Sequence, residues 1–143
     1  MHLIHRHLSD FSARPVSAQI TVPAERRQFL KRRWRGLAAD GVEFGFDLEQ
    51  RLPHGAVIFQ TPENDYIVLQ QAEPVYVMQP ASPDQAALIG WMIGNLHLPV
   101  EIAGGKIRAL HDPAVRQLLE RERWPYTEET VIFQPLRVVA HAS

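Results

Sequence analysis

Trp91-Met92-Ile93-Gly94-Asn95-Leu96-His97-Leu98-Pro99-Val100 is the stretch in which an apolar helix stops and a strand begins. Gly94 and Asn95 are the residue types that take a left-handed turn at a helix C-terminus, and Leu98-Pro99-Val100 reads as a strand entry. Upstream, Ser82-Pro83-Asp84-Gln85 supplies an N-cap, a proline at the first helical position, an acid in the first turn and a capping-box glutamine. A strand at Val75 to Met78 precedes that helix. Downstream, Val100 to Ile102 and Ile107 to Leu110 read as strands joined through Gly104-Gly105. His111-Asp112-Pro113 opens a second helix, whose Val115, Leu118 and Leu119 share one stripe, and Pro125 ends it. Thr130 to Phe133 is the last strand. The order strand, helix, strand, strand, helix, strand is the ferredoxin-like βαββαβ arrangement.

The composition changes at Gln70-Gln71-Ala72-Glu73-Pro74, which sets the expected boundary between a domain over 1–73 and a ferredoxin-like domain over 74–143. In the first, Met1 to Leu8 reads as a strand with His5 and His7 on one side. Ala18 to Val22 is a strand ended by Pro23. Asp40-Gly41 is a hairpin signal between Arg32 to Ala38 and Val42 to Leu48, and in the second arm Val42, Phe44, Phe46 and Leu48 alternate with polar residues or glycine. Val57 to Phe59 and Tyr66 to Leu69 add two short strands. The fold class is therefore α+β, an N-terminal all-β domain followed by a ferredoxin-like one.

With 143 residues, 45% hydrophobic and 22% charged, the chain can bury a core. Its longest apolar run, Ala86 to Ile93, falls short of the roughly 20 residues a membrane helix needs, and the N-terminus lacks a secretory h-region. With no cysteine, any metal must be held by imidazole, carboxylate, amide or water, in keeping with the cytoplasm. A net charge of -1 gives no global attraction to nucleic acid or anionic membrane. Six of the fifteen basic residues, Arg26, Arg27, Lys31, Arg32, Arg33 and Arg35, are nevertheless concentrated beside Phe29 and Trp34. They fit either an RNA surface or a basic-faced strand meeting an acidic protein.

A neutral imidazole at the His97 corner can ligate a borderline ion such as nickel, zinc or copper, although one imidazole makes a weak site. On its residue type alone, His97 reads more simply as a core or capping residue. His2, His5 and His7 lie close enough in sequence to hold an ion, against the plainer reading of a solvated edge strand. No phosphate loop is present, and His111-Asp112 are the one His-Asp pair in sequence, facing differently. Enzymatic readings therefore fare poorly.

The segment Gly94-Asn95-Leu96-His97-Leu98-Pro99, with the helix before it and the Lys106 to Leu110 strand and Asp112 after it, resembles the signature of the UreE urease accessory proteins, the nickel metallochaperones. The usual pattern there is Gly-Asn-Arg-His, so Leu96 departs from it. The resemblance implies a homodimer in which His97 of each subunit shares one Ni(II), with Zn(II) or Cu(II) able to take its place. It implies apo-urease and its accessory GTPase as partners, and a first domain that binds a partner or peptide. It makes the C-terminal tail histidine, His141, a further candidate ligand beside the plain reading of a frayed end. His111 matches a position where some members carry an additional histidine, but Pro113 breaks the pairing there and a helix cap competes. Trp91-Met92, where the family often has Tyr-His, and Gln134 and Leu136, where it often has glutamates, are further departures. Met92, Ile93, Leu96 and Leu98 serve either a dimer interface or the domain core. The competing readings are a metal-independent adaptor of the same fold and an RNA binder using Arg26 to Arg35.

Overall fold

The computed structural model describes residues 1–136. The chain divides into two compact units, one ending at Gln71 and the other beginning at Ala72. In the first unit, strand β1 (His2–Ile4) runs parallel to β4 (Glu43–Asp47), and β4 pairs antiparallel with β3 (Arg33–Leu37). A second sheet has β2 (Gln19–Ala24) parallel to β6 (Asp65–Gln70), with β5 (Val57–Gln60) antiparallel on the far side of β6.

The two three-stranded sheets share one core, in which Phe44, Phe46 and Leu48 meet Val22, Tyr66 and Val68. The alternation in the second hairpin arm predicts this buried face. A Cβ on Gly36 would lie 2.9 Å from Val22 Cγ1 and 3.1 Å from Phe46, so close sheet packing requires a glycine there. Asp40 closes the hairpin by accepting from Val42 N–H at 3.1 Å, and Gly41 takes φ 90°. The other oxygen of Asp40 accepts from the Tyr66 hydroxyl at 2.6 Å, tying the hairpin to the second sheet. That bond holds the Asp40 carboxyl below its ordinary range and pushes the Tyr66 hydroxyl up.

Three expectations for this half are corrected. The first strand spans three residues, because His5 and Leu8 turn toward other partners, Leu8 N–H donating to Val57 O at 2.7 Å. Arg26–Phe29 is a helical turn, α1, where a basic strand is expected. Gln28 Oε1 accepts the Glu25 N–H at 2.8 Å, a local bond that favours the turn, while Phe29 is buried. With the 3-10 turn at Val16–Ala18, it is the departure of this unit from pure β structure.

The second unit runs β7 (Glu73–Met78), α2 (Pro83–Gly94), β8 (Val100–Ala103), β9 (Lys106–Leu110), α3 (Pro113–Glu122) and β10 (Thr127–Val131). Its four strands form one antiparallel sheet in the order β10-β7-β9-β8. Tyr76, Met78, Ile107 and Ala109 turn to one face, where Ile89 and Ile93 of α2 and Val115, Leu118 and Leu119 of α3 complete a core. Val75 and Val77 turn to the opposite face, against Phe133.

The last strand lies earlier than expected, at Thr127–Val131. Its Thr127-Glu128-Glu129-Thr130 run has no apolar periodicity to reveal it, and the pairing is supported by Glu129 approaching Arg108 and Lys106, each at 3.9 Å. Phe133 leaves the sheet and is wholly buried.

Candidate functional site

The His97 corner is built by the end of α2. Ser82 Oγ accepts from Gln85 N–H at 3.1 Å, and Pro83 occupies the first turn, so the helix starts where its cap demands. At its other end the N–H of Leu96 donates to Ile93 O and that of His97 to Gly94 O, both at 3.0 Å, tightening the last turn. His97 then takes φ 57°, the left-handed region. This corrects the expectation that Gly94 or Asn95 makes the turn, since Asn95 stays right-handed at φ -66°. A left-handed non-glycine costs about 1–2 kcal/mol.

What holds His97 in that conformation is the packing on either side. Leu96 and Leu98 both lie against the second core, and Pro99 restricts Leu98 to extended geometry. The imidazole between them is exposed and, among the described residues, has no hydrogen-bond partner. Leu96 is therefore a packing residue and brings no cation beside the ring.

The structure also assigns the neighbouring aliphatics. Ile93 is fully buried, and Met92, Leu96 and Leu98 pack on the core, so these four serve the interior of the unit. Large apolar side chains left exposed nearby include Leu88 at 47%, Trp91 at 67%, Ile102 at 56% and Leu136 at 58%. Leu88 and Trp91 are three residues apart on α2, hence on one stripe. Sequence reasoning missed them because α2 is apolar on every side and its periodicity does not single out a buried face.

The other histidines are occupied or apart. His111 stacks on Tyr76 with ring centroids 4.5 Å apart, and its Nε2 meets Glu128 Oε1 at 3.3 Å. Asp112, one residue on, caps α3 by accepting from Ala114 N–H at 2.8 Å. His111 lines a shallow cleft of about 330 Å³ with Tyr76, Arg116 and Glu120. Burial, then the Glu128 charge, raises the Tyr76 hydroxyl above its ordinary range, and Arg116 opposes this. Arg116 itself is raised by its bond to Glu120, 3.1 Å away.

In the first unit, His2 lies 4.3 Å from the Phe59 ring, His5 Nδ1 is 3.0 Å from Asp47 O and His7 Nε2 is 2.7 Å from Asp10. They do not converge. His54 is half-buried and accepts the Gln70 N–H at 2.9 Å. Among the described residues no three His, Cys, Asp or Glu side chains come together as a metal site. His141 lies outside the described residues; the last described residue, Leu136, donates its N–H to Val100 O at 2.8 Å, three positions from His97.

This corner offers one solvent-facing imidazole that has no hydrogen-bond partner among the described residues. The relatives of the chain are accessory proteins and not enzymes. A profile of the C-terminal domain of the UreE urease accessory protein matches residues 73–143. The urease accessory protein UreE of Streptococcus vestibularis is 32% identical over 102 residues, covering 69% of this chain and 68% of its own length. The protein of that name from Beijerinckia indica is 30% identical over 125 residues, 85% of this chain and 70% of its own. The one from Pseudomonas putida is 29% identical over 144 residues, 94% and 85% respectively. The chain belongs to the UreE urease accessory protein family.

Proposed function

We propose that this protein is a cytoplasmic metallochaperone that binds Ni(II) between the His97 side chains of two copies and delivers it to apo-urease, working with the accessory GTPase of urease assembly. The observation that carries this reading is the exposed His97 imidazole, without a hydrogen-bond partner among the described residues, in a left-handed conformation between two packed leucines. Unfavourable backbone geometry maintained by its surroundings is a feature of functional positions. A two-fold axis turns one histidine per chain into a pair of ligands, and positions left to water or mobile groups keep the ion exchangeable. Zn(II) or Cu(II) suits the same donors.

The homodimer reading draws support from the Leu88 and Trp91 stripe on α2, an apolar surface that a second copy covers. The strand order and antiparallel pairing of the second unit support a ferredoxin-like domain for metal binding and dimerisation, and the two sheets of the first an all-β domain for partner binding. His141 is the second candidate ligand. It lies five residues beyond Leu136, a reach of roughly 17 Å at about 3.4 Å per residue, enough to span the three positions from Val100 to His97. His111, held by Tyr76 and Glu128, stays out of the primary site.

Calorimetry with Ni(II) tests the reading. The native chain is expected to bind one ion per two chains at the shared site, and His97→Ala to lose that binding. Equal binding by both chains removes His97 from the site, and absence of binding by the native chain leaves the metal-independent adaptor.

A further inference from the structure

In the sheet of the second unit β10 is one edge and β8 the other. Beyond β10, Phe133 is wholly buried against Val75 and Val77, on the face away from the two helices, with Leu110 and Val131 packed on the same cluster. Three residues on, the Leu136 N–H donates to the carbonyl of Val100, the first residue of β8, at 2.8 Å. Residues 132–136 therefore run from one edge strand to the other across β7 and β9. Crossing three strand spacings of about 4.8 Å needs roughly 14 Å, which five extended residues at about 3.4 Å each cover with little slack.

What this segment secures is the start of β8. As an edge strand, β8 has a ladder on one side alone, beginning with Val100 opposite Ala109 of β9. Side chains add little to that ladder. Glu101 lies opposite Arg108, yet Arg108 Nη1 is 3.7 Å from Glu101 Oε1 and Arg108 Nε is 3.9 Å from Glu129 Oε2, both beyond hydrogen-bond range. Glu101 Oε1 and Arg108 Nε are buried and lack a hydrogen-bond partner among the described residues. Between Val100 and the left-handed His97 stand only Leu98 and Pro99. The ring of Pro99 fixes its own φ and confines Leu98 to extended geometry, so a shift of Val100 is passed on to His97.

We propose that residues 132–136 are a strap that positions the His97 corner, with buried Phe133 as its anchor and the Leu136 N–H as its clasp. Held in this way, the imidazole meets an ion already oriented, and its affinity is not reduced by the fraction of time the corner is open. The effect on metal rests on the His97 reading, whereas the fixing of the corner does not.

Leu136→Pro deletes the clasp, since proline has no N–H, and Leu136→Ala keeps it. Leu136 is exposed, so neither substitution opens the core. Amide hydrogen exchange, followed by nuclear magnetic resonance on the metal-free full chain, is expected to accelerate about fivefold at Leu96 and His97 in Leu136→Pro, the loss of one backbone bond. Leu118 and Leu119 of α3 keep their native rates, and Leu136→Ala matches the native chain. Calorimetry with Ni(II) then gives about fivefold weaker binding in Leu136→Pro and native binding in Leu136→Ala. Unchanged exchange at the corner, equal acceleration throughout the unit, or the same acceleration in Leu136→Ala would overturn the strap. Accelerated exchange with native Ni(II) affinity would overturn its positioning role at the metal site. If the native chain binds no Ni(II), the metal reading fails and the exchange rates alone decide the strap.

Discussion

His97 and His111 both stand at helix ends in the same unit, yet the structure treats them oppositely. His111 precedes α3, lies on the Tyr76 ring and brings its Nε2 to 3.3 Å from Glu128 Oε1. His97 follows α2, takes a left-handed backbone and presents an imidazole that nothing among the described residues engages. An imidazole already stacked and hydrogen-bonded must give up those contacts before it can ligate, whereas a partnerless one loses little. The packing at the corners also differs: Leu96 and Leu98 spend their side chains on fixing His97, while at the other corner Asp112 caps the helix and leaves His111 to the sheet. Availability, more than residue type, separates a ligand from a structural histidine.

The contrast is broken most directly by metal affinity. His97→Ala is expected to weaken Ni(II) binding by more than about 100-fold, beyond what losing an outer-shell partner costs, while His111→Ala changes it by less than about threefold. Equal losses in calorimetry would erase the distinction. Next in size is the backbone strain. At φ 57° a glycine is at ease and an alanine is not, so His97→Gly should exceed His97→Ala in stability by about 1 kcal/mol in denaturant unfolding, although both lack the ligand. Equal stability would mean that the corner relaxes.

The smallest effect concerns the His111 side. Because burial raises the Tyr76 hydroxyl above its ordinary value of 10.0, the folded state holds that proton more tightly than the unfolded chain. The associated stability is complete below that value and is lost as pH rises through the higher folded one. Tyr76→Phe removes this alkaline slope, Glu128→Gln lowers the Tyr76 titration slightly, and His97 substitutions leave it alone. An ultraviolet tyrosine titration checks each of these.

Local chemistry made much of the fold legible. Ser82-Pro83 and Asp112-Pro113 start their helices, Asp40-Gly41 turns the first hairpin, and the alternation from Val42 to Leu48 marks a buried face. What escaped depends on partners distant in sequence. The parallel pairings of β1 with β4 and of β2 with β6 have no local signature, and β10 is a polar strand defined by the strand and cations beside it. At the site the corner was readable, but not which residue would turn left-handed, because two leucines packing on a core decide that. The approach of Leu136 to Val100, like the exposure of Leu88 and Trp91, arises from tertiary packing that a helix apolar all round does not disclose.

The central claim is that two copies of the corner share one ion. X-ray absorption at the nickel edge on protein loaded with one Ni(II) per two chains counts the imidazoles around the metal. The account predicts at least two, both lost in His97→Ala. A single imidazole, or a spectrum that the substitution leaves unchanged, would contradict it.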